Sequence, residues 1–299
     1  GTDDDTRAAM LNLEALALDA LGRQADALPK FEQSLAIHRK LHPDGHANVA
    51  IGLNNVALCL DHLGRESEAL TNYVQAFEII SRTHGAATAE AAANLSNQAS
   101  CLADLGQTEE ALVRAEKALV IYKKLHQGDH PDVVFALNNA AVCLLSLGCE
   151  SEALDRHEAA LAMSRRIHKG DHPQVAATLN NVAGCLDALG RTAKALEKYR
   201  EALSTCMRLY RGDHPEVANL INNEAACLDK LGRPTEALER FEASLAMYRR
   251  LYSGDHPDVA RGMNNVASCL RDAGHESEAL PRFEDALAMY RRLYPGDHP

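Results

Sequence analysis

Apolar side chains recur at helical spacing through this chain, in blocks. Within residues 129–170, Leu137, Ala140, Ala141 and Leu144 share one side of a helix turning about 100° per residue. Asp129, Pro131 and Asp132 stand before them, and the Asp-x-x-Asp pair predicts a capping box, with Pro in the first turn where no backbone N–H is needed. Gly148 is expected to stop this helix. A second helix is predicted from near Ser151 to about His168, roughly 18 residues or ~27 Å. Its inward set is Ala153, His157, Ala160, Leu161 and Ser164, and Gly170 is expected to end it. Ala141 and Ala153 are small enough to let the paired helices approach closely. No segment alternates with period two, so no strand is expected.

The block repeats. Gly-Asp-His-Pro stands at 128–131, 170–173, 212–215, 254–257 and 296–299, always 42 residues apart. Leu-Gly pairs from 21–22 to 231–232 keep the same step, and Ala273-Gly274 completes the series. Seven units fit without insertions: 3–44, 45–86, 87–128, 129–170, 171–212, 213–254 and 255–296, with 297–299 starting a truncated eighth. A fixed period of this size means that units stack to bury a shared core, so residues 1–299 are expected to form a single all-α solenoid of helix-turn-helix units. Both ends fall at unit boundaries and Gly1-Thr2 reads as a cloning remnant, so the chain is expected to be a segment of a longer protein.

Leu-Asn-Asn-Val-Ala, Leu-Gly-Arg, Glu-Ala-Leu and Gly-Asp-His-Pro, in that order and spacing, resemble the 42-residue tetratricopeptide (TPR) repeats of kinesin light chains. The match covers all seven units and is weakest at 3–44 and 87–128. The resemblance implies a right-handed superhelix whose first helices line an inner groove, with peptide segments as the usual ligands. It also implies that the Asn matching the second of each Asn pair contacts the ligand.

The helical angle points to the same face independently. Opposite Leu137 and Leu144 lie Phe135, Asn139, Val142 and Ser146. Read unit by unit, this stripe gives the candidate groove: Leu13 and Leu16; Ile51, Asn55 and Leu58; Asn97; Phe135, Asn139 and Val142; Asn181; Asn219, Asn223 and Lys230; Arg261 and Asn265. An Asn amide both donates and accepts, so it can pair with the backbone of an extended peptide of any sequence. The competing reading has these amides holding neighbouring units together. The first Asn of each pair (Asn54, Asn138, Asn180, Asn222, Asn264) points sideways and is assigned that packing role; the second is assigned to the groove. Arg261 and Lys230 are the stripe's only basic residues, so a strongly acidic cargo is not expected. A peptide or amphipathic helix with an apolar anchor at the N-terminal units is.

Composition narrows the function classes. A net charge of −11 argues against nucleic acid, which needs a basic face. No stretch is long and apolar enough to span a membrane, and a cytoplasmic protein is expected. Cys59, Cys101, Cys143, Cys185, Cys227 and Cys269 form a ladder at the repeat step, expected to be buried and unpaired, whereas Cys149 and Cys206 are expected to be the accessible thiols. The Gly-Asp-His-Pro histidines are assigned to the helix-start loops, and His157 to the core. No catalytic motif, metal site or cofactor site stands out. The expectation is a non-enzymatic protein-binding scaffold. The alternatives are a structural array in which copies self-associate head to tail, and the sensor arm of a nucleotide-binding switch protein.

Overall fold

The computed structural model describes residues 2–43 and 45–294, and these contain fourteen α-helices and no strand. They pair as α1 (Thr2–Ala20) with α2 (Gln24–Leu41), α3 (Ala47–His62) with α4 (Glu66–Thr83), α5 (Ala89–Asp104) with α6 (Thr108–Leu125), and α7 (Pro131–Ser146) followed by α8 (Glu150–Ile167). Then come α9 (Pro173–Ala188) with α10 (Thr192–Leu209), α11 (Pro215–Lys230) with α12 (Pro234–Leu251), and α13 (Pro257–Asp272) with α14 (Glu276–Leu293). The last Gly-Asp-His-Pro and the truncated eighth unit lie outside the described residues. Two compact bodies emerge, Gly1–Arg156 and His157–Pro299. In each, a first helix packs on its own second helix and on the second helix of the unit before it.

The turn inside each hairpin is a Schellman motif. In the second unit, Gly64 takes φ +70° and donates to Asp61 O, while the Arg65 N–H reaches back to Leu60 O. These two bonds satisfy carbonyls that the helix end leaves unpaired, and the left-handed backbone explains why Gly stands there.

The junction between units corrects the predicted capping box. The N-cap of α7 is His130, and its Nδ1 accepts the Asp132 N–H at 3.2 Å. His172, His214 and His256 cap α9, α11 and α13 in the same way, each at 3.2 Å, with Pro following at the first helical position. The physical reason is reach: Nδ1 lies as many bonds from the backbone as an Asp Oδ1, so imidazole replaces carboxylate as the capping acceptor. Each of these rings also stacks on an aromatic four residues earlier. His126–His130 and His168–His172 have centroids 3.4 Å apart, and Tyr210–His214 and Tyr252–His256 3.5 Å. The Asp of the motif takes a different role in three units. Asp171, Asp213 and Asp255 form two-bond pairs with Arg208, Arg250 and Arg292 at the end of their own units.

The core follows the repeat. Ala141 and Ala153 are fully buried. The aromatic site of the second helices holds buried Phe31, Tyr73, Tyr199 and Phe241, with buried His157 as its counterpart and half-buried Phe283 in the last unit. Complete burial of a side chain such as Leu53 stabilises by about 2 kcal/mol relative to exposure. The six-rung Cys ladder is buried and all eight cysteines are free thiols. Cys59 Sγ lies 3.4 Å from Gln24 O and Cys269 Sγ 3.6 Å from Pro234 O, so these rungs rest against the start of the preceding second helix. Cys206 departs from expectation. It is buried too, because its position on α10 is the inward one that Tyr122 and Tyr248 occupy on α6 and α12. Among the described residues no helix is long and apolar enough to cross a membrane.

Candidate ligand groove

In the body 1–156, the first helices α1, α3 and α5 are linked by amide hydrogen bonds. Asn55 Nδ2 donates to Asn12 Oδ1 at 2.7 Å, joining α3 to α1, and Asn94 Nδ2 donates to Asn54 Oδ1 at 2.7 Å, joining α5 to α3. The apolar stripe residues are unpartnered and open to solvent. Leu13 is 65% exposed, Ile51 53% and Phe135 49%, with Leu16, Leu58 and Val142 also exposed. Isolated exposed leucines are ordinary; six at stripe positions of α1, α3 and α7 make a face.

In the body 157–299 the stripe is polar and largely committed. Asn223 Nδ2 donates to Asn180 Oδ1 at 3.0 Å, and Asn265 Nδ2 to Asn222 Oδ1 at 2.8 Å. Lys230 Nζ reaches Asp187 Oδ2 of the preceding unit at 2.6 Å. Arg261 donates to Asn219 Oδ1 at 2.9 Å, to Asp258 Oδ1 at 2.7 Å and to Tyr248 Oη at 3.3 Å. Asn219, Lys230 and Arg261 thus have their polar groups engaged within and between units.

The two roles assigned within each Asn pair therefore meet in one bond: the second Asn of one unit donates to the first Asn of the unit before. That bond forms at Asn55, Asn223 and Asn265. The half-buried side chains of Asn97, Asn139 and Asn181 take part in no hydrogen bond among the described residues. At the third unit the reason is visible. Asn94, only 1% exposed, bonds both Asn54 Oδ1 and, at 3.0 Å, the Tyr73 carbonyl, and its own Oδ1 accepts from buried Gln98 Nε2 at 2.6 Å. This buried network supplants the usual rung. Asn94 and Gln98 escaped the sequence reading, although the signal is plain: equivalent positions elsewhere hold Gly52, Ala136 and Gly262, or Val56, Ala140 and Val266. Glu224 carries the same signal, buried at the Val position and held by Arg200 Nε at 2.8 Å.

Burial also decides the thiols' chemistry. It pushes Cys59, Cys206, Cys227 and Cys269 up to about 11 and, with Asp61 beside it, Cys101 up to about 12. These are packing groups, protonated at neutral pH and shielded.

Paired helices, each hairpin closed by the same Gly turn, define a helical repeat protein. A tetratricopeptide-repeat family model matches residues 5–82, 48–124, 88–165, 132–208, 188–250 and 216–292. The chain belongs to the tetratricopeptide-repeat family. Among solved structures it is similar to the apo form of RapI (16% identity, 97% of this chain and 99% of that one, TM-score 0.72). It is similar to BtubC (BKLC) from P. vanneervenii (21% identity, 79% and 94%, TM-score 0.65). The nearly identical TPR-like repeats of a Podosopora anserina putative kinesin light chain are a further likeness (21% identity, 68% and 96%, TM-score 0.58). At these identities the likeness is one of fold. No curated protein matches the chain.

Proposed function

We propose that the seven units act as one array, a non-catalytic scaffold that binds a protein segment along its first helices. The occupant is an extended peptide or an amphipathic helix whose apolar anchors seat on Leu13, Leu16, Ile51, Leu58, Phe135 and Val142. The observation that carries this reading is the exposure of those six side chains on one stripe of α1, α3 and α7, where the opposite face of the same helices is buried. The uncommitted amides of Asn97, on the intervening α5, and of Asn139, on α7 beside Phe135 and Val142, supply backbone pairing. Arg261 and Lys230 are engaged by Asp258 and Asp187, which supports an apolar rather than an acidic occupant.

A random peptide library displayed on phage and selected on this chain tests the reading. Enriched peptides are expected to carry spaced apolar anchors and to lose at least ~10-fold in affinity for Leu58→Ser or Phe135→Ser, since removing a buried apolar contact of this size costs more than about 1.4 kcal/mol. Acidic peptides without anchors, or affinities indifferent to both substitutions, would overturn it.

Self-association has its own observation. Leu280 and Leu287 on α14 are 61% and 50% exposed, whereas Leu196 and Leu203, their equivalents on α10, are buried. A second copy seated on α14 would cover them, and sedimentation velocity over a concentration series, without added peptide, would show growing assemblies.

A further inference from the structure

Two departures from the repeat, on different helices, meet in one cleft. Asp5 stands in the first turn of α1, where the later units have Ala47, Ala89 or Pro. His38 stands in the last turn of α2, where they have Ile80, Tyr122, Ser164, Cys206, Tyr248 and Tyr290. His42, one turn on at the C-cap of α2, completes the group. One carboxylate oxygen of Asp5 and one ring nitrogen each of His38 and His42 lie within 4.8 Å of one another. They border a cleft of about 440 Å³ that Ile51 of the apolar stripe also lines.

The contacts inside this group are not those of a hydrogen-bonded cluster. His38 Nδ1 is buried with no hydrogen-bond partner, and Asp5 Oδ1 lies 4.0 Å from it, beyond hydrogen-bond reach. A buried ring nitrogen without a partner is costly, and a ligand that both groups can share removes the cost. The second His/Asp cluster of the chain shows the contrast. In His126, His130 and Asp132, His126 Nε2 bonds Asp132 Oδ2 at 3.1 Å and His130 Nδ1 accepts the Asp132 N–H at 3.2 Å. Every group there is used by the helix cap. In the first cluster the capping duty falls to His46, whose Nδ1 accepts the Asn48 N–H at 3.3 Å. That leaves His42 free, with the His46 ring stacked on it at 4.4 Å to hold its plane.

We propose that Asp5, His38 and His42 form a site for one divalent transition ion of the zinc type, tying the start of α1 to the end of α2. His-x₃-His on one helix face is a familiar ligand spacing for such ions, and a carboxylate makes the third ligand. Bonds of about 2.0–2.2 Å place ligand atoms roughly 3.3–3.6 Å apart in a tetrahedral site, so the present spacing of up to 4.8 Å would have to close by about 1 Å on binding. Three protein ligands leave a coordination position for water or for a group carried by a bound partner.

The test is a titration of the untagged chain with Co²⁺, followed by its visible ligand-field bands, and then displacement by Zn²⁺. His38→Ile and Asp5→Ala are the informative variants, because they install residues that the second unit carries at the same positions, Ile80 and Ala47, and either alone suffices. His126→Ala is the control. One equivalent of Co²⁺ is expected to bind the parent chain, at least ~10-fold more weakly after either substitution and unchanged in the control, since each removes one of three ligands. No Co²⁺ band up to about 1 mM metal, or binding that survives both substitutions, would overturn the assignment.

Discussion

Replacing His157 with Phe, the residue that Phe31 and Phe241 supply in other units, isolates one titration from a chain rich in ionisable groups. His157 is 1% exposed, and burial pulls its pKa from the ordinary 6.5 down to about 4. The sign follows from which state binds the proton. The unfolded chain takes it up as pH falls through about 6.5 and the folded chain only near 4, so stability is lost progressively across that window. The gap of about 2.5 units corresponds to roughly 3 kcal/mol in full, of which about 2 kcal/mol is lost between pH 7.5 and pH 5. His157→Phe removes this component. Urea unfolding followed by circular dichroism at pH 7.5 and pH 5, for parent and variant, is the assay, because carboxylates common to both cancel in the difference. The variant's advantage over the parent should grow by about 2 kcal/mol between the two pH values, whatever its offset at pH 7.5. A difference constant to within about 0.5 kcal/mol would mean that His157 is not held neutral by burial, and the reasoning would fail.

Other expectations concern the ladders. Asn223→Ala leaves Asn180 Oδ1 without its donor and should cost about 1 kcal/mol in unfolding free energy, whereas Asn139→Ala, which breaks no hydrogen bond, should cost clearly less; equal losses would contradict the rung geometry. In the native protein, a thiol reagent should modify the half-exposed Cys149 quickly and the seven buried cysteines only on unfolding, as mass spectrometry after a short pulse would show. Gly184→Ala should stabilise by roughly 0.5–1 kcal/mol in thermal unfolding, because a Cβ there meets only Tyr199 Oη at 3.7 Å and a helix-interior Gly is replaced by the best helix former. A lower melting temperature would show that the site is tighter than its contacts indicate.

Much of the fold was legible because its determinants are local and recur at 42 residues. Gly64 marks a helix end by its own backbone, and Leu137 to Leu144 mark a buried face by angle alone. What escaped the sequence depends on distances between helices. The Asp129–Asp132 capping box failed because two acceptors competed for one cap, and only the structure shows His130 filling it while the aspartates of the motif turn to arginines in three units. Cys206 is buried because its place on α10 turns inward, an angle that its sequence neighbourhood does not mark. The Asn pairs were divided into a packing member and a groove member, yet Asn55 and Asn12 share one bond across 43 residues, a pairing that no spacing within a unit reveals. Asp5 and His38 were legible as departures from the repeat, but their convergence was not.

The broken rungs have a consequence for how a ligand would be read. A peptide backbone that recruits Asn55, Asn223 or Asn265 competes with a hydrogen bond already made between units, so occupancy there works against the joint itself. Asn97 and Asn139 ask for no such exchange. In chain order Asn97 stands between Leu58 and Phe135, and Asn139 between Phe135 and Val142, so in the proposed groove sequence-blind and sequence-selective contacts would fall together at the third and fourth units. A segment would then be gripped most firmly near the middle of the chain and released by loosening two amides, while the outer joints keep their geometry whether the groove is full or empty.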